Sequence, residues 1–158
     1  MNHKVVYICS TMEKLVVELP PESICIKEAY CPNGHSLMDP SHPMGNCPSI
    51  KVYAIPEGGA EGGEIFLNAW YGNFEVDSTI PMKDGDVFEI YCPECKIDLR
   101  PLDEKCSFCG ARIFRLNLPR GGIVEACSRK GCHNHKLKVI DLSAQLARIF
   151  DFDTRPRY

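Results

Sequence analysis

The stretch that decides the fold is residues 92–110, CPECKIDLRPLDEKCSFCG. It holds two Cys-x-x-Cys pairs, Cys92/Cys95 and Cys106/Cys109, with ten residues between them. A Cys-x-x-Cys turn points two sulfur atoms at one centre, and thiolates are the preferred ligands of tetrahedral structural metal sites. The ten-residue spacer is long enough to run out and back between the turns. The spacing therefore predicts a four-cysteine metal site.

The two pairs resemble the zinc-ribbon family, with its rubredoxin-like knuckles, over residues 92 to about 115. The matching motifs are Cys92-Pro93-x-Cys95 and Cys106-x-x-Cys109-Gly110. The resemblance implies that the four cysteines hold one structural Zn²⁺. Iron-type rubredoxins carry a glycine directly after both pairs, whereas Lys96 follows the first pair here. We therefore prefer zinc over iron.

Two further segments each look like half of a second site: CPNGH at 31–35 and CSRKGCHNH at 127–135. Each offers only part of a tetrahedral ligand set, so the halves must combine. The predicted second set is Cys31, His35, Cys127 and Cys132. Such a site would join parts of the chain about a hundred residues apart, and it brings the prediction to two Zn²⁺ per chain.

The ligand set of this second site has open alternatives. Its third and fourth places have three competitors: Cys47, His133 and His135. An interleaved arrangement, in which Cys92 and Cys95 pair with Cys127 and Cys132, also remains open. Cys25 lies in an apolar run, where a free cysteine usually acts as a small hydrophobic side chain.

The hydrophobic pattern predicts a mostly β fold. Short apolar runs rich in β-branched residues recur along the chain, as in SIKVYAI at 49–55 and IFRLNL at 113–118. Only DLSAQLARIFDF at 141–152 has helical periodicity, with Leu142, Leu146, Ile149 and Phe150 on one face. The expected architecture is a set of zinc-ribbon hairpins packed on a small antiparallel β domain, with one short C-terminal helix.

The chain divides into three expected regions: a β-rich region at 1–91, a zinc-ribbon region at 92–140, and a C-terminal helix and tail at 141–158. Charge follows the same division. The net charge is −3 overall, and it splits into −8 for residues 1–91 and +5 for residues 92–158. Such asymmetry indicates two surfaces with different partners.

The sequence also predicts the cellular compartment of the protein. There is no apolar signal-peptide core near the N-terminus, and no apolar run approaches the roughly 18 residues needed to span a bilayer. We therefore expect a cytoplasmic protein without a membrane partner. In that compartment clustered cysteines bind metal or take part in redox chemistry more often than they form disulfides.

Three classes of function follow. The first is a zinc-stabilised interaction protein, an adaptor or accessory subunit that binds a protein partner. The second is a nucleic-acid-binding zinc ribbon that uses the basic half of the chain: Arg112, Arg115, Arg120, Arg129, Lys130, Lys136 and Lys138. The third is a rubredoxin-like electron carrier or a zinc enzyme. Because the chain carries no zinc-protease, zinc-deaminase or nucleophile-elbow motif, we predict no catalytic residues and place the protein partner first.

Overall fold

The structure is a computed structural model that describes residues 5–8, 15–18, 24–59, 61–139 and 150–152. It is built from antiparallel strands. Within the described ranges the single helix is one 3-10 turn, Pro119–Gly121, and no helix there has the length and apolar character to cross a membrane. The predicted mostly β, antiparallel fold is confirmed.

One five-stranded sheet combines the beginning of the chain with its C-terminal third. Its strand order is β1-β2-β11-β10-β9, and every neighbouring pair is antiparallel. The strands are β1 (Val5–Ile8), β2 (Leu15–Glu18), β9 (Ile113–Asn117), β10 (Ile123–Cys127) and β11 (His135–Val139). The division of the chain into three regions stays a prediction.

The middle of the chain forms a second antiparallel sheet in the order β4-β5-β6-β7, with β8 paired to β5. A third, two-stranded sheet joins β12 to β3. The remaining strands are β3 (Ile24–Ile26), β4 (Met38–Met44), β5 (Cys47–Pro56), β6 (Gly63–Leu67), β7 (Val76–Ser78), β8 (Phe88–Tyr91) and β12 (Phe150–Phe152).

Strand β4 is one of the elements that the sequence pattern did not predict. It contains Pro40 and Pro43, and proline cannot donate a hydrogen bond to a sheet. The strand tolerates both because it lies at the edge of its sheet, and its pairing with β5 shifts register between Asp39 and Pro43. At a sheet edge with a bulge, no neighbouring strand needs the backbone hydrogen bonds that the two prolines cannot donate.

The predicted C-terminal helix lies mostly outside the described residues, which omit 140–149. Phe150, placed at the end of that helix by its periodicity, instead begins β12 and pairs with Ile26. The helical pattern therefore does not extend to 150–152. The rest of the predicted helix stays a prediction.

The main core takes buried side chains from both larger sheets and from β3. In β5 the side chains of Ile50, Val52 and Ala54 are buried while the residues between them are partly exposed, as alternation predicts. The main core also contains Cys31 and Cys92. A second, smaller cluster consists of Cys106, Ala111, Ile113 and Cys127 with three partly buried neighbours. Cysteines are thus structural members of both cores.

Cys25 differs from its predicted role as a free buried thiol. The structure pairs it with Cys47 in a disulfide that joins β3 to the start of β5. Both residues are buried in the main core. Cys47, one of the competing ligands of the second site, is therefore assigned to this pair and not to a metal cluster.

Candidate metal centres

Four turns in the chain share one local geometry. In each, the backbone N–H two residues after the first cysteine donates a hydrogen bond to the Sγ of that cysteine. The donor and acceptor pairs are Asn33 to Cys31 at 3.3 Å, Glu94 to Cys92 at 3.3 Å, Phe108 to Cys106 at 3.4 Å and Arg129 to Cys127 at 3.4 Å. Hydrogen bonds to sulfur favour its ionised form, the thiolate that binds metal.

Each turn needs a residue in the left-handed backbone region. Glycine fills this place in three of them: Gly34 (φ 90°), Gly110 (φ 80°) and Gly131 (φ 93°). In the fourth turn Lys96 adopts it with φ 61°, a conformation that disfavours side chains. Its side chain makes two compensating contacts: Nζ donates to the carbonyl of Pro93 at 2.7 Å and lies 4.6 Å from the ring centre of Tyr53.

The fold brings the turns together in pairs, and the pairs differ from the expected ones. The turn at 31–35 meets the turn at 92–95, and the turn at 106–109 meets the turn at 127–132. The expected ribbon of Cys92, Cys95, Cys106 and Cys109 is therefore wrong as a pairing, and so is the expected clip between 31–35 and 127–132. The interleaved alternative, which joined Cys92 and Cys95 to Cys127 and Cys132, is also wrong.

The eight candidate ligands nevertheless all fall in the two clusters. The first cluster holds Cys31, His35, Cys92 and Cys95, and the second holds Cys106, Cys109, Cys127 and Cys132. Within each cluster the ligand atoms lie within 4.8 Å of one another. Both clusters could hold a metal ion, which agrees with the predicted number of two per chain.

In the first cluster, Cys31 Sγ lies 3.5 Å from His35 Nδ1 and 3.9 Å from Cys95 Sγ. A tetrahedral zinc with bonds of about 2.3 Å to sulfur and 2.0 Å to nitrogen would separate its ligands by roughly 3.8 Å for two sulfurs and 3.5 Å for sulfur and nitrogen. The observed separations match both values. Cys31 and Cys92 are buried, whereas His35 is exposed, so this centre lies between the main core and solvent.

The second cluster brings four sulfur atoms within 4.8 Å of one another. Cys106 Sγ lies 3.7 Å from Cys132 Sγ, and Cys109 Sγ lies 3.4 Å from Cys127 Sγ. Cys106 and Cys127 are buried. These sulfurs make up most of the smaller hydrophobic cluster, so a metal here would occupy the centre of that cluster.

The pKa values of the cysteine thiols differ with the surroundings of each thiol. Backbone donation from Ile97 and the side chain of Asn33 lower the pKa of Cys95 to about 6. Burial opposes ionisation of Cys106, but the amide of Asn134 and nearby backbone N–H groups lower its pKa to about 6. Burial raises the pKa of Cys92 and of Cys127. These two thiols need a nearby positive charge to ionise, which a divalent metal ion would supply.

Three side chains outside the ligand set support the clusters, and the sequence did not single them out in this role. Asn33 Nδ2 donates to Cys95 Sγ at 3.3 Å, and Asn134 Nδ2 donates to Cys106 Sγ at 3.3 Å. The guanidinium of Arg129 interacts with Cys109 and donates to the carbonyl of Gly85 at 2.9 Å. For the two asparagines the signal was an amide side chain two residues after a cysteine, a pattern too common to identify them alone.

His133 and His135, the other competing ligands, take part in an aromatic stack instead. His135 stacks on Tyr71 with ring centres 4.1 Å apart, and His133 stacks on Phe74 at 4.1 Å. Phe74 and His135 are 4.7 Å apart, so the four rings are contiguous. Burial lowers the pKa of His135 to about 4, with a smaller contribution from His133, so its imidazole is neutral at physiological pH.

Two short strands connect the clusters. Just before β8, Val87 pairs with Arg129 of the second cluster's turn, and β8 runs directly into Cys92 of the first. Strand β9 begins at Ile113, opposite Cys127, and ends at Asn117, which pairs with Tyr30 next to Cys31. Each of the two strands, β8 in one large sheet and β9 in the other, thus runs from one candidate metal centre to the other.

The chain is thus a mostly β protein with two clusters of metal-binding side chains. Comparisons with protein-family models, with curated proteins and with solved structures found no match. The zinc-ribbon resemblance is compatible with the clusters, and it stays a resemblance of local motifs.

Proposed function

We propose that this is a zinc-binding structural protein, in which one Zn²⁺ at each cluster holds the fold together and presents a surface to a protein partner. The observation that carries the proposal is the spacing of the ligand atoms. The sulfur–nitrogen separation of 3.5 Å and two sulfur–sulfur separations, 3.7 and 3.9 Å, fit the edges of a zinc tetrahedron, whereas Cys109 Sγ and Cys127 Sγ lie closer together, at 3.4 Å.

The donor set supports zinc over iron. The first cluster supplies three sulfurs and the imidazole Nδ1 of His35, a combination typical of structural zinc, whereas a rubredoxin iron takes four thiolates. An electron-carrier role would therefore have to rest on the second cluster alone. A four-ligand protein site also leaves no position for water or substrate, so catalysis at either metal is disfavoured.

Metal content tests the proposal directly. We expect the purified protein to contain two zinc ions per chain by elemental mass spectrometry. Cys95→Ser and Cys109→Ser should each reduce the content to one, because each removes a ligand of a different cluster. Cys25→Ser, outside both clusters, is the matched control and should keep two. A content of one zinc in wild type, or iron in place of zinc, would contradict the proposal.

A protein partner is favoured by exposed apolar side chains. Among the residues whose side chains the structure describes, Leu102 is 83% exposed and Phe108 is 78% exposed, well above Phe74 at 37%. Phe108 lies between two metal ligands, Cys106 and Cys109, so the metal would hold its backbone rigid. A rigid exposed aromatic side chain is a common anchor in protein interfaces. We place this contact in the cytoplasm.

Substitution of Phe108 tests the partner role separately from folding. Phe108→Ser should keep two zinc ions and the wild-type melting temperature, because the wild-type ring is exposed. It should weaken capture of the partner by at least about tenfold if the ring is a buried anchor in the complex. Phe108→Tyr, which keeps an aromatic ring, is the matched control. Equal capture by all three proteins would exclude Phe108 as an anchor.

Nucleic-acid binding is the less supported alternative, because several cations that it would use already have intramolecular contacts. Arg112 donates to the carbonyls of Arg100 and Pro101, and Arg129 donates to Gly85. Lys130 pairs with Asp84 at 3.3 Å. A side chain that binds phosphate would have to give up such contacts.

Arg115 shows the structural role most clearly. Its guanidinium lies 2.8 Å from a carboxylate oxygen of Glu125 and 2.7 Å from one of Glu104, and the Glu125 side chain is only 7% exposed. We expect Arg115→Leu to lower the free energy of unfolding by about 2–3 kcal/mol, because it removes a partner of a buried carboxylate. Urea denaturation would measure this. The double variant Arg115→Leu/Glu125→Leu should recover most of the loss, whereas full stability of the single variant would contradict a structural role.

A further inference from the structure

The first cluster's turn carries the one Asn-Gly dipeptide of the chain, Asn33-Gly34. An asparagine followed by glycine is especially prone to spontaneous loss of its side-chain amide, because glycine has no Cβ to shield its backbone nitrogen. Asn33 and Gly34 are both exposed. A Cβ built on Gly34 would meet no atom within 4 Å outside the adjoining residues. Solvent therefore reaches both groups that the reaction needs.

The deamidation of Asn33 would proceed in two steps. The backbone nitrogen of Gly34 attacks Cγ of Asn33 and gives up its proton, a C–N bond forms, the Cγ–Nδ2 bond breaks, and Nδ2 leaves with that proton as ammonia. Water then opens the resulting cyclic imide at one of its two carbonyl carbons. Residue 33 becomes an aspartate, or an isoaspartate in which the main chain runs through Cβ. Nothing is oxidised or reduced, and water is the only co-reactant.

Both reacting groups are held by hydrogen bonds while the first cluster is formed. Asn33 Nδ2 donates to Cys95 Sγ at 3.3 Å, and the backbone N–H of Gly34 donates to the carbonyl of Cys31 at 2.9 Å. The first bond holds the amide against the cluster, and the second keeps the proton on the nitrogen that must lose it. Cys31 and Cys95 could bind the same ion, which would fix both acceptors. The reaction therefore requires the turn to open.

The second cluster offers an internal comparison. Asn134 Nδ2 donates to Cys106 Sγ at 3.3 Å, which is the contact that Asn33 makes with Cys95. The next residue there is His135, the first residue of strand β11. The Cβ and ring of a histidine crowd its backbone nitrogen, and strand pairing restricts the backbone further. The two amides thus have the same role and differ in the residue that follows them.

We propose that Asn33 is a site of spontaneous deamidation controlled by the first metal centre, which keeps the amide intact until its ion is lost. The inference rests on the proposed function, because the ion is what fixes the turn. The product replaces a hydrogen-bond donor to Cys95 Sγ by a carboxylate, and the isoaspartate also lengthens the backbone between Cys31 and His35. Both changes oppose the return of an ion to the thiolates. A chain that stays without this ion therefore progressively loses the ability to rebind it.

The test follows residue 33 in the full-length protein during incubation at mildly alkaline pH, with zinc content measured in every sample. Peptide mass spectrometry detects the change of mass from amide to acid. Wild type and Cys109→Ser, which keeps the first cluster, should convert slowly. Cys95→Ser should convert at least about tenfold faster, because its turn opens more often. Asn134 should remain an amide in all three proteins.

A second variant covers the case in which Cys95→Ser does not fold. His35→Ala removes an exposed ligand and keeps the three thiols of the first cluster, and it should also convert faster than Cys109→Ser. Equal conversion of Asn33 in His35→Ala and Cys109→Ser, or conversion of Asn134 as fast as that of Asn33, would overturn the inference. Wild type without zinc would instead contradict the proposed function, and the comparison of Cys95→Ser with Cys109→Ser would still show whether the first cluster protects Asn33.

The effect of the product on the metal centre is measured with Asn33→Asp. This variant should bind zinc at the first cluster at least about tenfold more weakly than freshly purified wild type, because it loses a hydrogen bond to a charged sulfur and gains a like charge. Asn33→Gln, which keeps an amide and adds no charge, is the matched control. Equal zinc affinity of Asn33→Asp and wild type would overturn the claim that deamidation opposes rebinding.

Discussion

Removal of both metals is expected to unfold the protein. Zinc binding contributes on the order of 10–16 kcal/mol to folding in small zinc modules, whereas the net stability of a domain is about 5–15 kcal/mol. Without metal, Cys31 and Cys92 of the main core and Cys106 and Cys127 of the smaller one lose the ion that joins them. Treatment with a strong chelator should abolish the near-ultraviolet circular dichroism and the cooperative thermal transition.

The matched control is the same chelator saturated beforehand with zinc, which should leave both signals unchanged. Addition of excess zinc after dialysis should restore both signals, because the cysteine thiols remain available to bind it. Metal analysis of the chelated sample is part of the experiment. A sample shown to be free of metal that keeps its cooperative transition would contradict a structural role for both clusters.

The second large effect is an asymmetry between the two clusters. Cys92 is fully buried in the main core, whereas Cys109 is partly buried against the smaller one. We expect Cys92→Ser to lose the metal of the first cluster and the cooperative fold of the main core, because it leaves a buried hydroxyl and three other ligands without their ion. Cys109→Ser should lose the other metal and disorder mainly residues 104–113 and 127–134.

Trp70 reports the difference, since it is the only tryptophan in the chain and packs against the main core. Its fluorescence should shift to longer wavelength in Cys92→Ser and stay near the wild-type value in Cys109→Ser. Hydrogen exchange should be fast throughout the main core in Cys92→Ser. In Cys109→Ser it should be fast in the second cluster's turns only. The reverse pattern, or equal loss in both, would contradict the assignment of the clusters to two cores.

The sequence predicted much of the fold because local patterns determine it. The apolar runs at 49–55, with Ile50, Val52 and Ala54, and at 113–118 correctly predicted strands β5 and β9. Strand β4 was not predicted, because Pro40 and Pro43 argue against a strand unless its edge position is known. Edge position depends on which strands neighbour each other, and that is a property of the whole sheet.

The same limit applies to the metal centres. Types and spacing of residues indicated the eight candidate ligands, yet they did not indicate which turns meet. The spacer between Cys95 and Cys106 was expected to return the chain to the first pair. Instead Leu99 donates a backbone hydrogen bond to Ile90 and accepts one from Arg115, so the spacer lies between β8 and β9 and leads the chain to the other cluster.

The position of the ligands along the chain has a consequence for synthesis on the ribosome. Cys31 and Cys95 of the first cluster are 64 residues apart, against 26 for Cys106 and Cys132 of the second. At about 5–20 residues per second, the early thiol and imidazole wait several seconds for their partners to emerge. All four ligands of the first centre precede Cys106 in the chain, so they leave the ribosome before any ligand of the second. The nascent chain can therefore close the sheet of β4–β8 around one ion before the ligands of the other have emerged.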